Sequence, residues 1–231
     1  MNPLWLKSWC ECRYRYLLVW LLSGVVLFDL ALFSLVKRTA DRADLGEWVV
    51  LFYLGAVVPI AALVLAGSGV NTQTSWGMAP GLHPSTGFLL SMPVRRSALL
   101  WTRASMGAAL LLSWVVATHL ILIQADSALG VPGWSLPLST LPAVAVLALL
   151  YFGVATWLTV LFDELWSSII ALTMFGMAAG YSLAGGPGWA NVITYMRLEN
   201  GYRQVPQTVF CLALTAGFLG LAQYSIRKKE Y

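Results

Sequence analysis

Apolar residues in this chain come in long, nearly unbroken runs rather than at the spacing of a half-buried helix or strand. A bilayer hydrocarbon core about 30 Å thick takes roughly 20 such residues per helix. Six stretches reach that scale, at 17–36, 48–67, 104–125, 138–162, 165–184 and 208–224. The pattern predicts an all-α integral membrane protein with six transmembrane helices, organised as a single transmembrane domain over residues 1–231. No small-x-small cleavage site follows the first run before Lys37 and Arg38, so that run is expected to stay attached.

Ahead of the first run, Trp5, Trp9, Cys12 and Tyr16 fall within one arc of a helical wheel, with Lys7, Glu11 and Arg15 on the other side. This predicts an amphipathic interfacial helix over 3–16, lying flat at headgroup depth before the chain turns into the first span. The alternative is a straight extension of that span.

Composition narrows the class further. Apolar residues make up 59% of the chain and charged residues 10%, against roughly 45–50% and about 25% in a soluble domain. A solvated globule is excluded, and so is a disordered chain, because 11 Trp, 9 Phe and 9 Tyr cannot be kept in water. The net charge of +4 is spread over short clusters between the runs, as expected for loops anchored on anionic lipid headgroups and not for a nucleic-acid-binding stripe. Cys10, Cys12 and Cys211 are too few for a disulfide framework. Six spans put both termini on one side. If that side is the cytoplasm, the inner segments hold Lys7, Arg13, Arg15, Arg95, Arg96, Arg103, Arg227, Lys228 and Lys229. The outer ones hold Lys37, Arg38, Arg42, Arg197 and Arg203. The excess of basic residues predicts cytoplasmic termini.

The second and third spans are joined by about 35 residues, far more than neighbouring helices need. The first part, from Gly67-Ser68-Gly69 to Pro84, is rich in helix breakers. The second reads Leu90-Ser91-Met92-Pro93-Val94-Arg95-Arg96, and Pro93 is suited to begin a helix that runs on into the third span. On that helix Arg96 and Arg103 share a face and Arg95 extends the patch; a plain basic topology signal is the other explanation. Asp163 and Glu164 form a tight acidic turn between the fourth and fifth spans, available to a basic partner surface. Before the last span, Gly185-Gly186-Pro187-Gly188 precedes an apolar stretch from Trp189 to Leu198, too short to cross and suited to dip into the outer surface.

An N-terminal amphipathic helix, six spans, a long inner loop carrying Met92-Pro93-Val94-Arg95, a dipping segment before the last span and a basic tail coincide here. This layout resembles the permease subunit of type-2 ATP-binding-cassette exporters, over nearly the whole chain. In that family the stretch after the second span commonly reads Leu-Pro-Val-Ser-Arg-like and forms a coupling helix pressed on the ATPase. The resemblance therefore implies that Leu90, Ser91, Met92, Pro93, Val94, Arg95 and Arg96 contact a separate ATPase. It also implies that a second permease, identical or related, completes the path, and that the protein sits in a bacterial plasma membrane. The family often carries charges just upstream of the motif, whereas His83-Pro84-Ser85-Thr86-Gly87 keeps only the Gly. No G-x-x-x-x-G-K-[ST] loop is present, so ATP and Mg are expected on the partner ATPase and no cofactor on this chain. The path in that family runs around the second and fifth spans, which makes Ile169, Thr173, Phe175, Gly176 and Met177 candidate lining positions.

Among polar residues within the runs, Asp29 and His119 come to similar depth and form a candidate intramembrane pair; a structural role for Asp29 at the outer interface is the other reading. Gly176 and Gly180, four apart, mark a candidate face for close helix approach or pairing of two chains. Metal ligands do not converge, and an enzyme would have to rest on His83 and His119 alone, with Ser68 in a superficial nucleophile-like turn. A non-catalytic transporter subunit is the leading expectation; a non-transporting membrane assembly or sensor protein, and an intramembrane enzyme, are its alternatives.

Overall fold

The computed structural model describes residues 3–36, 52–66, 95–129, 138–162, 164–183 and 204–228. Among these the chain is helical throughout, with no strand. The helices are α1 (Pro3–Val36), α2 (Val58–Ala66, preceded by a π-turn Tyr53–Val57), α3 (Arg96–Leu129), α4 (Leu141–Leu161, preceded by a 3-10 turn Leu138–Thr140), α5 (Glu164–Leu183) and α6 (Gln204–Lys228). Among the described residues three segments are long and apolar enough to cross a membrane: Ser97–Gln124, Leu138–Leu161 and Val205–Lys228. Tyr53–Ala66 and Trp166–Met177 are shorter apolar helices.

The break expected near Tyr16 is absent. α1 runs without interruption for 34 residues, about 51 Å at 1.5 Å per residue. The local reason is visible in Tyr14-Arg15-Tyr16-Leu17-Leu18, which contains no Gly, no Pro and no capping residue to end a helix. Residues 3–16 are thus a straight extension of the first apolar run with one side covered by the bundle: Ser8 and Cys12 are buried while Trp5, Trp9 and Tyr14 are exposed.

α4 occupies the centre and packs against α2, α3, α5 and α6. Its buried stripe includes Val144, Leu147, Ala148, Phe152, Ala155 and Leu158. Close approach is built from small residues, since packing in lipid gains nothing from apolarity alone. A Cβ on Gly153 would come within 3.3 Å of Thr215 on α6, and one on Gly107 of α3 within 3.0 Å of the Leu65 carbonyl and the Phe152 ring. Pro142 falls in the first turn of α4, where a missing N–H costs nothing.

Helices successive in the chain alternate in direction, so α4 and α6 run parallel, and the contacts fix their register. Tyr53 meets Thr118 while Leu65 lies by Gly107, so α2 and α3 run antiparallel. The start of α3 and the ends of α4 and α6 meet in a cluster of Leu100, Val160, Ala222 and Ile226. Trp101 Nε1 donates to Gln223 Oε1 at 3.2 Å in the same region. α5 begins directly beyond the end of α4, at that same end of the bundle.

Candidate functional site: a basic bundle end and a polar core at a π-turn

Antiparallel alternation gathers basic side chains from distant parts of the sequence at one end. Arg95 and Arg103 come from the start of α3 and Arg227 and Lys228 from the last turn of α6, whereas Arg13 and Arg15 of α1 lie further in, beside Val64 of α2 and about level with Gly107 to Ser113 of α3. Arg227 and Lys228 sit where the negative end of the helix dipole favours cations. Aromatic rings accompany them: the Arg13 guanidinium lies 4.7 Å from the Tyr14 ring centroid and Lys228 Nζ 4.7 Å from that of Tyr224. Arg15 donates through Nη1 to the Val64 carbonyl at 3.1 Å. That carbonyl belongs to the last described turn of α2, so the guanidinium ties α1 to α2.

Of the predicted coupling segment, Arg95 and the backbone of Arg96 stand at this end. Leu90, Ser91, Met92, Pro93 and Val94 lie outside the described residues. Arg95 is exposed, and its carbonyl accepts from the amides of Ala98 and Leu99, at 2.9 and 3.2 Å, as α3 begins. Helix α3 therefore starts at Arg96 and continues without a break into the third apolar run, as the sequence implied; the side chain of Arg96 is outside the described set. Arg103 departs from the expected solvent-facing patch, because it is only 4% exposed. Residues Leu99, Leu100, Arg103 and Ala104 turn the same arc of α3 toward α4 and α6, which carries Arg103 inward. Asp163 lies outside the described residues; Glu164 opens α5, with its side chain not among those described.

Beyond the middle of α3, away from the basic end, the structure assembles polar groups that residue order alone did not single out. Tyr53 Oη and Thr118 Oγ1 are 2.8 Å apart, both buried, and Thr118 also donates to the Trp114 carbonyl at 2.8 Å. Tyr53 and Trp114 face each other with ring centroids 6.2 Å apart. The Trp114 indole is fully buried, and its N–H finds no acceptor among the described residues. All of this is centred on the π-turn, where the Val58 amide donates to the Tyr53 carbonyl five residues back instead of four. Pro59 supplies the cause: it has no N–H to offer the carbonyl of Gly55, and its ring would press on that carbonyl in a regular helix. Widening the preceding turn relieves both problems. The available signal was a Pro inside an apolar run with a Gly four residues before it.

The remaining candidates are dispersed. His119 is fully buried on α3, whereas Asp29 is on the exposed face of α1, so the fold does not bury the two together. On α5, Ile169, Thr173, Gly176 and Met177 are exposed, Met177 at 71%, and a Cβ on Gly176 would meet nothing within 4 Å. No described helix therefore uses Gly176 for close approach; Gly180 continues the same helix. Phe175 leaves the candidate lining set, because it is buried with its ring centroid 4.5 Å from that of Tyr151. Among the described residues no three His, Cys, Asp or Glu side chains converge on a metal-sized position.

No protein-family model, curated protein or solved structure matches this chain.

Proposed function

We propose that this chain is the transmembrane subunit of an ATP-binding-cassette transporter, forming a translocation path with a second permease and taking its energy from a separate ATPase. The single observation that carries the reading is the basic end of the bundle, where the exposed Arg95 and the first turn of α3 stand directly after the Leu90–Val94 motif. In this reading six helices cross the membrane, α1, α2 and α5 among them, with both termini and the basic end on the cytoplasmic face of a bacterial plasma membrane and the transport direction outward. ATP and Mg belong to the partner, and the chain itself is non-catalytic.

The proposed transmission is mechanical. An ATPase state can shift the permease only if it contacts two permease conformations with different free energy. Helix α3 begins at Arg96, directly after the Leu90–Arg95 segment in sequence, and carries Thr118 and Trp114 against the π-turn of α2, a place where a helix bends at low cost. Arg15 joins α1 to the end of α2 just beneath that turn. A push on the start of α3 would therefore be felt at the Tyr53–Thr118 bond.

Affinity isolation of the intact chain from its native membrane is the test. A cassette ATPase should accompany it in equal amount, and Arg95→Glu together with Arg96→Glu should remove that ATPase while the chain still inserts. Isolation of the chain with no ATPase, under cross-linking that preserves membrane complexes, refutes the proposal. A reporter fused near Arg95 that reads as external does so equally.

A further inference from the structure

At the basic end of the bundle, the start of α3 and the end of α6 form a seam bridged by polar side chains. Trp101 Nε1 donates to Gln223 Oε1 at 3.2 Å across it. An indole N–H can only donate, so it takes the amide oxygen of Gln223, and the two amide hydrogens are turned away from Trp101. Trp101 is 43% exposed and Gln223 half-buried, which puts the pair on the flank of the bundle. Behind it the seam is closed by Leu100, Ala222 and Ile226. One turn further inward a Cβ on Gly220 would meet nothing within 4 Å, so nothing in the described bundle covers α6 there.

Depth gives these groups their meaning. Trp101 stands four residues inside the start of the Ser97–Gln124 span and Gln223 five inside the end of Val205–Lys228, about 6–8 Å from the span ends. That is the interfacial level of a bilayer, where Trp side chains collect. Arg227 follows Gln223 by one helical turn on the same face of α6, which brings its guanidinium out toward the phosphates. Lys228 is exposed beside it, its Nζ 4.7 Å from the Tyr224 ring centroid. The positive charge is not offset within these helices: α6 contains no acidic residue, and the first in α3 is Asp126, at the opposite end. Cations at phosphate level, amide hydrogens one turn deeper and an uncovered helix surface below them match an anionic amphiphile with ester carbonyls.

We infer that this seam binds one anionic phospholipid of the adjoining leaflet, with its phosphate at Arg227 and Lys228, an ester carbonyl on the Gln223 amide and an acyl chain running inward past Gly220. The site depends on the membrane setting alone. It assigns nothing to Arg95 or Arg96 and stands apart from any ATPase.

The test uses the whole wild-type chain in vesicles of phosphatidylcholine and phosphatidylglycerol, with a trace of phosphatidylglycerol carrying a photoactivatable diazirine near the ester of one acyl chain. After illumination, adducts should concentrate on Trp101 and on residues 220–224 relative to Phe162 and Trp166. Those two are exposed to a degree similar to Trp101 and Tyr224 and lie at the same end of the bundle. Unlabelled phosphatidylglycerol should compete, whereas phosphatidylcholine with the same chains, or millimolar glycerol phosphate, should not. Arg227→Gln should lower the labelling about fivefold, the weight of one basic side chain near an anionic headgroup. Gln223→Leu, which keeps every charge, should lower it about threefold, the weight of one hydrogen bond inside a bilayer. Equal labelling of Phe162 and Trp166 would mean a diffuse surface potential and overturns the inference. So do equal competition by phosphatidylcholine, displacement by glycerol phosphate, and unchanged labelling of monodisperse Arg227→Gln protein.

Discussion

Helices α4 and α6 are both long and apolar enough to cross a membrane, yet 72% of the apolar stretch of α4 is buried and only 17% of that of α6. In water that contrast would be a contradiction. In lipid it is expected, because hydrocarbon is as good a solvent for Leu as a protein core is, and helices are selected for the interior by shape and hydrogen bonding. α4 carries Gly153, Ala148, Ala155, Thr156 and Thr159 on surfaces that touch other helices, and Gly153 lets α6 come within van der Waals distance of its backbone. α6 turns Val205, Val209, Phe210, Leu212 and Leu221 outward. Only its small or polar positions Thr215 and Ala222, with Ile226, go in. The lesson extends to the polar core: Tyr53, Thr118 and Trp114 are held inside by one another, at the place where the backbone of α2 is irregular.

The comparison can be attacked in order of expected effect. Trp114→Ala removes the largest fully buried side chain and should destabilise the bundle by about 3–5 kcal/mol, read as an early loss of monodisperse protein on heating in detergent. Phe210→Ala on the exposed face of α6 is its counterpart and should shift that curve hardly at all. Equal losses from the two would end the distinction between inward and outward faces. Next, Gly107→Val drives a side chain into the Leu65 carbonyl and the Phe152 ring and should cost about 1–3 kcal/mol, while Gly176→Val, with open space around it, should be silent in the same assay.

Smaller effects probe the π-turn. Tyr53→Phe deletes one hydroxyl of a buried pair, and hydrogen bonds between membrane helices average about 0.6 kcal/mol with a ceiling near 1.7. A modest lowering of the melting temperature is expected, and Thr118→Val should give the same loss, with little more in the double variant. Additive losses would mean that the two hydroxyls act separately. Pro59→Ala restores an amide able to reach the Gly55 carbonyl, so the widened turn should rewind. Spin labels on Ile60 and Val116 should then report a changed separation with stability nearly preserved. An unchanged separation would remove Pro59 as the cause of the turn.

Much of the architecture was readable from residue order. The apolar runs 104–125, 138–162 and 208–224 fall on Ser97–Gln124, Leu138–Leu161 and Val205–Lys228, because run length against bilayer thickness is a one-dimensional question. The continuation of the segment after Pro93 into one long helix was readable for a similar reason, since nothing between Arg96 and Leu129 interrupts it. Readings that needed a neighbour fared differently. The flat helix over 3–16 came from a wheel that showed two faces, but two faces also suit a helix packed against other helices, and no local breaker separated it from the first apolar run. Arg103 looked like part of a basic surface by spacing alone, and it became buried because α4 and α6 close over that arc of α3. Phe175 and Ile169 looked equivalent as lining candidates and ended on opposite sides of α5.

By itself, then, the order of residues determined that the chain is helical, that long parts of it belong in lipid and that basic residues flank those parts, since each of these depends on composition within a window or on local stereochemistry. Which helix is central, which arginine is covered, and where Tyr53 finds Thr118 depended on register between helices far apart in sequence. That register is set by close approach at Gly107 and Gly153 and by single hydrogen bonds, and these exist only once the helices have met.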